Sequence, residues 1–128
     1  MKVIIEVIPH GKQRYNTCGD WLFQEDDLYI WVSETGDWRM NYLIADHELK
    51  EAMLCKHVGV DQKQVDDYDK AHPEAGGDCF SDNLDAPYAR YHNDALASEW
   101  QTARLLDVDW AEYTRRIEEL TLLYAVKI

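Results

Sequence analysis

A chain of 128 residues with a formal charge of −12, five Trp and eight Tyr is long enough to bury one ordinary core without disulfides or a structural metal. The acidic excess disfavours direct contact with nucleic acid or an anionic membrane, and leaves a partner with a basic surface open. Cys18, Cys55 and Cys79 form no CxxC pair, residues 1–9 are too short and interrupted for a signal peptide, and no apolar run reaches membrane-span length, so the expectation is a cytoplasmic, reducing setting.

In chain order, β-branched Val3 to Ile8 ends at Pro9-His10-Gly11, a strand followed by a turn. Asp20 to Gln24 and Leu28 to Ser33 form a hairpin across Glu25-Asp26-Asp27, with Leu28, Ile30 and Val32 alternating against Tyr29, Trp31 and Ser33. A three-stranded, mostly antiparallel sheet follows, closed by Ser33-Glu34-Thr35-Gly36. Asp37 caps a helix that runs through Val58 and stops at Gly59. Asp61 and Gln64 make a capping box for a short helix from Gln62 to about Lys70. Ala71 to Asp85 reads as a loop, Pro87 opens a helix to about Leu106, and Asp109 with Glu112 starts a last one. The expected fold is therefore α+β in one domain, 1–128. Residues 1–36 are its β-rich part, and 37–128 supply three or four helices packed against the sheet.

Two of those helices carry polar groups on the side meant for the core. At about 100° per residue, His47 and Glu51 project about 40° apart, in the same arc as Leu43, Ile44, Leu54 and Val58, with Glu48 and Cys55 at its margin. In the second helix His92 and Glu99 fall among Tyr88, Ala89, Ala95, Leu96, Trp100, Ala103 and Leu106. Burying a charge is costly unless it is paired or bound to a metal.

His47-Glu48-Leu49-Lys50-Glu51 is one residue away from the HExxH helix of zinc peptidases, with Glu51 in the place of the second histidine. On the metal reading His47, Glu51 and His92 hold zinc or another divalent transition metal. Glu99 is then a fourth ligand or a carboxylate orienting an imidazole, and Glu48 is the general base. On the other reading no metal is needed: His47 pairs with Glu99 and His92 with Glu51, locking two helices in register. A carboxylate-bridged dinuclear centre fits less well, because the Glu-x-x-His spacing is absent. Asp69 could reach the site as an outer ligand. Cys55 reads as a core residue, the acidic Asp66 to Asp85 segment as solvated surface, and Gly76-Gly77 as a turn. His10, His57 and His72 read as surface residues; Tyr88, Trp100, Trp110 and Tyr113 read as core.

The stretch from Asp37 through Trp110 resembles small proteins encoded by bacteriophages and prophages. The likeness rests on His47-Glu48-Leu49-x-Glu51-Ala52-x-Leu54-Cys55, Val65-Asp66-x-x-Asp69, Ala86-Pro87-Tyr88 with His92, Ala95 and Glu99, and Val108-Asp109-Trp110. Arg14-Tyr15-x-Thr17-x-Gly19-Asp20-Trp21 is similar as well. The resemblance implies a host-cytoplasm setting and one constellation of His47, Glu48, Glu51, His92 and Glu99. It carries no activity of its own. With the charge, it also brings in a second class of function: an acidic, non-enzymatic protein that binds or inhibits a basic host protein, its buried His/Glu set purely structural. DNA mimicry is disfavoured, because the distinctive carboxylates point inward. The functional expectation is a zincin-like metal site on two facing helices, with metal-dependent hydrolysis as its enzymatic form.

Overall fold

Three β-rich segments pair first. In the computed structural model, which describes residues 1–71 and 89–127, β1 is Val3–Ile8, β2 is Gly19–Gln24 and β3 is Asp27–Ser33. The expected hairpin is present: β2 and β3 are antiparallel, and Gln24 opposite Asp27 leaves Glu25 and Asp26 as the turn. Glu25 takes φ +58°, a left-handed conformation that bulky residues adopt at a cost.

The sheet as a whole is mixed, in the order β1-β3-β2, because β1 lies parallel to β3 with Val3 opposite Leu28 and Val7 opposite Val32. Residues 9–18 carry the chain from the end of β1 across the end of β3 to the far edge, where β2 begins. That crossing is built from polar contacts. Gln13 Nε2 donates to Ser33 Oγ (3.0 Å) and the Trp31 carbonyl (3.2 Å), and His10 bonds Ser33 Oγ through Nδ1 (2.7 Å) and Asn16 Oδ1 through Nε2 (3.0 Å). His10 is therefore a buried structural residue and not the surface histidine its turn suggested. Burial lowers its pKa, with the Asn16 hydrogen bond opposing.

Helix α1, Trp38–Val58, begins and ends as its local sequence dictates. Asp37 Oδ1 accepts the Arg39 N–H (2.9 Å). Gly59 at φ +82° lets Val60 N–H reach the Cys55 carbonyl (2.9 Å) and Gly59 N–H the Lys56 carbonyl (3.3 Å), closing the last turn. The buried face is Leu43, Ile44, His47, Glu51, Ala52 and Cys55, whereas Val58 is exposed. This face lies over β2 and β3, whose Leu28, Ile30 and Val32 are wholly buried.

Helix α2, Gln62–Ala71, opens at the expected Asp61–Gln64 cap: Gln64 Oε1 accepts the Asp61 N–H (3.0 Å), while Asp61 Oδ1 accepts the N–H of Lys63 (2.8 Å). Its Gln62 then acts as a substitute strand, accepting the Phe23 N–H (2.9 Å) and donating to the Trp21 carbonyl (3.1 Å) along β2. Arg14 reinforces that edge by bridging Asp20 (2.7 Å) and Asp66 (3.2 Å). The burial of Asp20 raises its carboxyl pKa, and Arg14 works against that.

Helix α3, Ala89–Leu105, packs along α1. It stops at Asp107 (φ +55°), where Val108 N–H donates to the Ala103 carbonyl (2.9 Å) and Arg39 Nη1 covers the Leu106 carbonyl (3.1 Å). Asp109 caps α4, Trp110–Lys127, through the Ala111 N–H (3.0 Å), and Tyr113, Ile117 and Leu120 bury its inner stripe. Trp100 is exposed, contrary to its expected core role, with the Arg104 guanidinium over its ring. Most of the expected 71–85 loop, the Pro87 helix start, His72, Cys79 and Tyr88 lie outside the described residues. The sheet packed against α1–α4 is an α+β fold.

Candidate metal centre

One turn of α1 sets His47 above Glu51, and one contact of α3 sets His92 against both. His47 Nε2 lies 3.2 Å from Glu51 Oε2 and 3.1 Å from His92 Nδ1, and His92 Nδ1 lies 3.0 Å from the same Glu51 oxygen. Two nitrogens and one oxygen thus form a nearly equilateral triangle. All three residues are shielded, with side-chain exposures of 6%, 7% and 13%, so solvent reaches the group most readily on the His92 side.

Two of the three, His47 and Glu51, are each oriented by another residue behind them. His47 bonds Glu99 Oε1 through its opposite nitrogen, Nδ1 (2.6 Å), and Tyr113 donates its phenolic O–H to Glu99 Oε2. Trp21 Nε1 donates to Glu51 Oε1 (3.0 Å), leaving Oε2 for the triangle. With Nδ1–H engaged by Glu99, the lone pair of neutral His47 sits on Nε2 and faces the triangle. Such carboxylate–imidazole pairing is the usual support of a metal-ligating histidine.

Of the two places the sequence left open for Glu99, its contacts match the second: it does not join the converging atoms, and its two oxygens bond His47 Nδ1 and Tyr113, where it orients the imidazole. Glu48 leaves α1 on the sheet side. A Cβ built on Gly19 of β2 would collide with Glu48 Oε1 and would stand 2.7 Å from Ile44 Cγ2. Its carboxylate therefore lies along β2, while among the described residues the group able to hold a metal comprises His47, Glu51 and His92. The Asp69 side chain, expected as an outer ligand, lies outside what the structure describes.

Two contributors, Trp21 and Tyr113, were not legible as site residues. Trp21 shares its strand face with Gly19 and Phe23, so alternation places it under α1, and an indole N–H buried there needs an acceptor. Tyr113 sits in an otherwise apolar stripe. A single hydroxyl in such a stripe was the available signal.

The electrostatics follow from burial against pairing. Burial opposes charge on His47, but Glu51 and Glu99 overcome it and hold the imidazole pKa well above its usual value of 6.5. Burial also opposes the Glu51 carboxylate, and His47 and His92 override it, bringing it down to about 2. Cys55, wholly buried beside these carboxylates, is pushed up to about 12 by burial first and by Glu51 and Glu48 second, so it is no nucleophile.

Protons alone serve this triangle poorly. Each ring nitrogen is either a donor or an acceptor. One N–H can serve two of the three edges, which leaves the third as an acceptor–acceptor contact. Two N–H groups directed at Glu51 leave two donors facing each other. A cation satisfies all three lone pairs at once, and ligand atoms about 2.0–2.1 Å from a tetrahedral zinc stand about 3.3 Å apart, close to the observed 3.0–3.2 Å. The group could hold a metal ion. No helix among the described residues is long and apolar enough to cross a membrane. In comparisons of the chain with family models, curated proteins and solved structures, nothing matches.

Proposed function

We propose that this protein binds one divalent transition-metal ion, zinc by its ligand chemistry, through His47 Nε2, Glu51 Oε2 and His92 Nδ1. The carrying observation is the triangle of three converging nitrogen and oxygen atoms, whose three edges N–H hydrogen bonding cannot all satisfy. Two imidazoles and a carboxylate suit zinc, and three protein ligands leave a fourth position for water, the composition of catalytic sites. A bound zinc would supply Lewis acidity and lower the pKa of that water. The chain's own residues hold the geometry: Glu99 and Tyr113 fix the His47 ring, and Trp21 fixes the Glu51 carboxylate. Hydrolysis is the reaction class consistent with this composition. It draws no general base from Glu48, whose carboxylate lies on the β2 side.

Elemental analysis of protein purified without added metal tests the reading. One equivalent of zinc is expected, with His47→Ala and His92→Ala each losing it. Stoichiometric metal in the folded His92→Ala protein overturns the ligand set. Cobalt substitution checks the open position: a visible spectrum that shifts with pH reports a titrating bound water.

A second reading has its own support, because both pairs it requires, His47–Glu99 and His92–Glu51, are present. On that reading the cluster is a polar lock between α1 and α3. Wild-type protein that takes up no zinc in titration, yet loses its cooperative unfolding in His47→Ala, decides for the lock.

A further inference from the structure

The two edges of the sheet are treated differently. Gln62 and Arg14 cover β2, whereas among the described residues nothing caps the outer edge of β1. Val3, Ile5 and Val7 point to the same face as Leu28, Ile30 and Val32, their partners in register. The β3 residues are wholly buried, but Val3, Ile5 and Val7 remain 42%, 45% and 49% exposed, because α1 lies chiefly over β2 and β3. An uncovered, β-branched edge is a template for another strand.

The backbone sets which residues are available. Leu28 N–H donates to the Lys2 carbonyl and Glu34 N–H to the Ile8 carbonyl (each 2.8 Å), so the even-numbered residues of β1 turn their polar groups toward β3. Odd-numbered Val3, Ile5 and Val7 therefore aim theirs outward. An antiparallel copy of β1 centred on Ile4 uses them: Val3 pairs with Ile5 of the second copy and Ile5 with Val3, in hydrogen-bonded positions. The same register sets Ile4 against Ile4 and Lys2 against Glu6 twice, on the opposite face. Shifting the centre to Ile5 puts Glu6 against Ile4, and shifting it to Glu6 puts two carboxylates together. The Ile4 centre matches charge with charge and apolar with apolar.

We infer that β1 is a homodimerisation edge, joining two copies through an antiparallel β1–β1 pair centred on Ile4 into one continuous six-stranded sheet. The two-fold symmetry uses up both free edges, so assembly stops at the dimer. The two exposed Val3-Ile5-Val7 rows then lie side by side. Lys2 and Glu6 are exposed, so reversing either charge perturbs the pair without touching the core.

Sedimentation equilibrium of the full chain across the micromolar range, with far-UV circular dichroism as the fold control, tests this. A monomer–dimer equilibrium is expected. Lys2→Glu and Glu6→Lys each weaken it about tenfold by setting like charges opposite one another, and the double variant recovers wild-type association. A chain monomeric at every concentration overturns the inference, as do assembly beyond the dimer, indifference to both reversals, or failure of the double variant to recover.

Discussion

Glu99 divides its two oxygens between His47 and Tyr113, and that division is where the residue-scale predictions start. Tyr113→Phe keeps the ring packing and removes the hydroxyl, and Glu99→Gln removes the charge that steadies the imidazole. Outer-shell losses of this kind typically cost about 10- to 100-fold in metal affinity, so isothermal titration with zinc should show weakened binding with stoichiometry retained. The buried histidines His10 and His47 also pull stability in opposite directions. Burial depresses His10, so the unfolded chain takes up its proton first and stability is lost as pH falls below about 6.5. In the metal-free protein the carboxylates outweigh burial and raise His47, so its contribution is full below about 6.5 and is lost as pH rises through the elevated folded value. Thermal unfolding of the metal-free chain should therefore weaken on both sides of about pH 6.5. His10→Asn should flatten the acid side. Zinc should abolish the alkaline loss, because the metal takes the place of the proton.

At the scale of elements, the helix ends were legible because caps are local chemistry. Asp37, Gly59 and Asp61 each bond within a few residues of themselves, and no tertiary context is needed to recognise them. Asp37→Ala should cost about 1 kcal/mol in denaturant melts. The packing of α1 on β2 was not legible. It requires Gly19, whose missing side chain leaves room for Glu48 and Ile44. Gly19→Ala should destabilise by about 1–3 kcal/mol, an overpacking cost, and, because Glu48 and Glu51 share α1, should also weaken zinc binding. Glu25 sits at positive φ in the hairpin turn, so Glu25→Gly should leave stability unchanged or raise it by up to about 1 kcal/mol. The parallel pairing of β1 was equally hidden. Its direction depends on which edge residues 9–18 carry the chain to, and that depends on distant partners such as Ser33.

Across the whole molecule, a metal joining α1 to α3 would tie together the two helices that frame the site. Zinc at about 100 times its Kd should add about 2.7 kcal/mol to the stability of the folded state. Differential scanning calorimetry with and without a chelator should show the corresponding rise in Tm in wild type and none in His92→Ala. The charge of −12 acts at this scale too, favouring solubility and opposing close approach of like molecules. A basic partner rests on that charge alone. The metal reading rests on geometry.

By itself the chain determined its element types, most of their ends, the inward direction of His47, Glu51, His92 and Glu99, and their division between two facing helices. Periodicity and capping are short-range, so they survive without a fold. Only the tertiary structure decided that Glu99 turns to the far nitrogen of His47, that Glu48 departs toward β2, that Trp21 and Tyr113 complete the support, and that His10 is buried. Those outcomes depend on the rotation of one helix against another and against the sheet. Such rotation is set by packing between residues many tens of positions apart, and no local pattern encodes it.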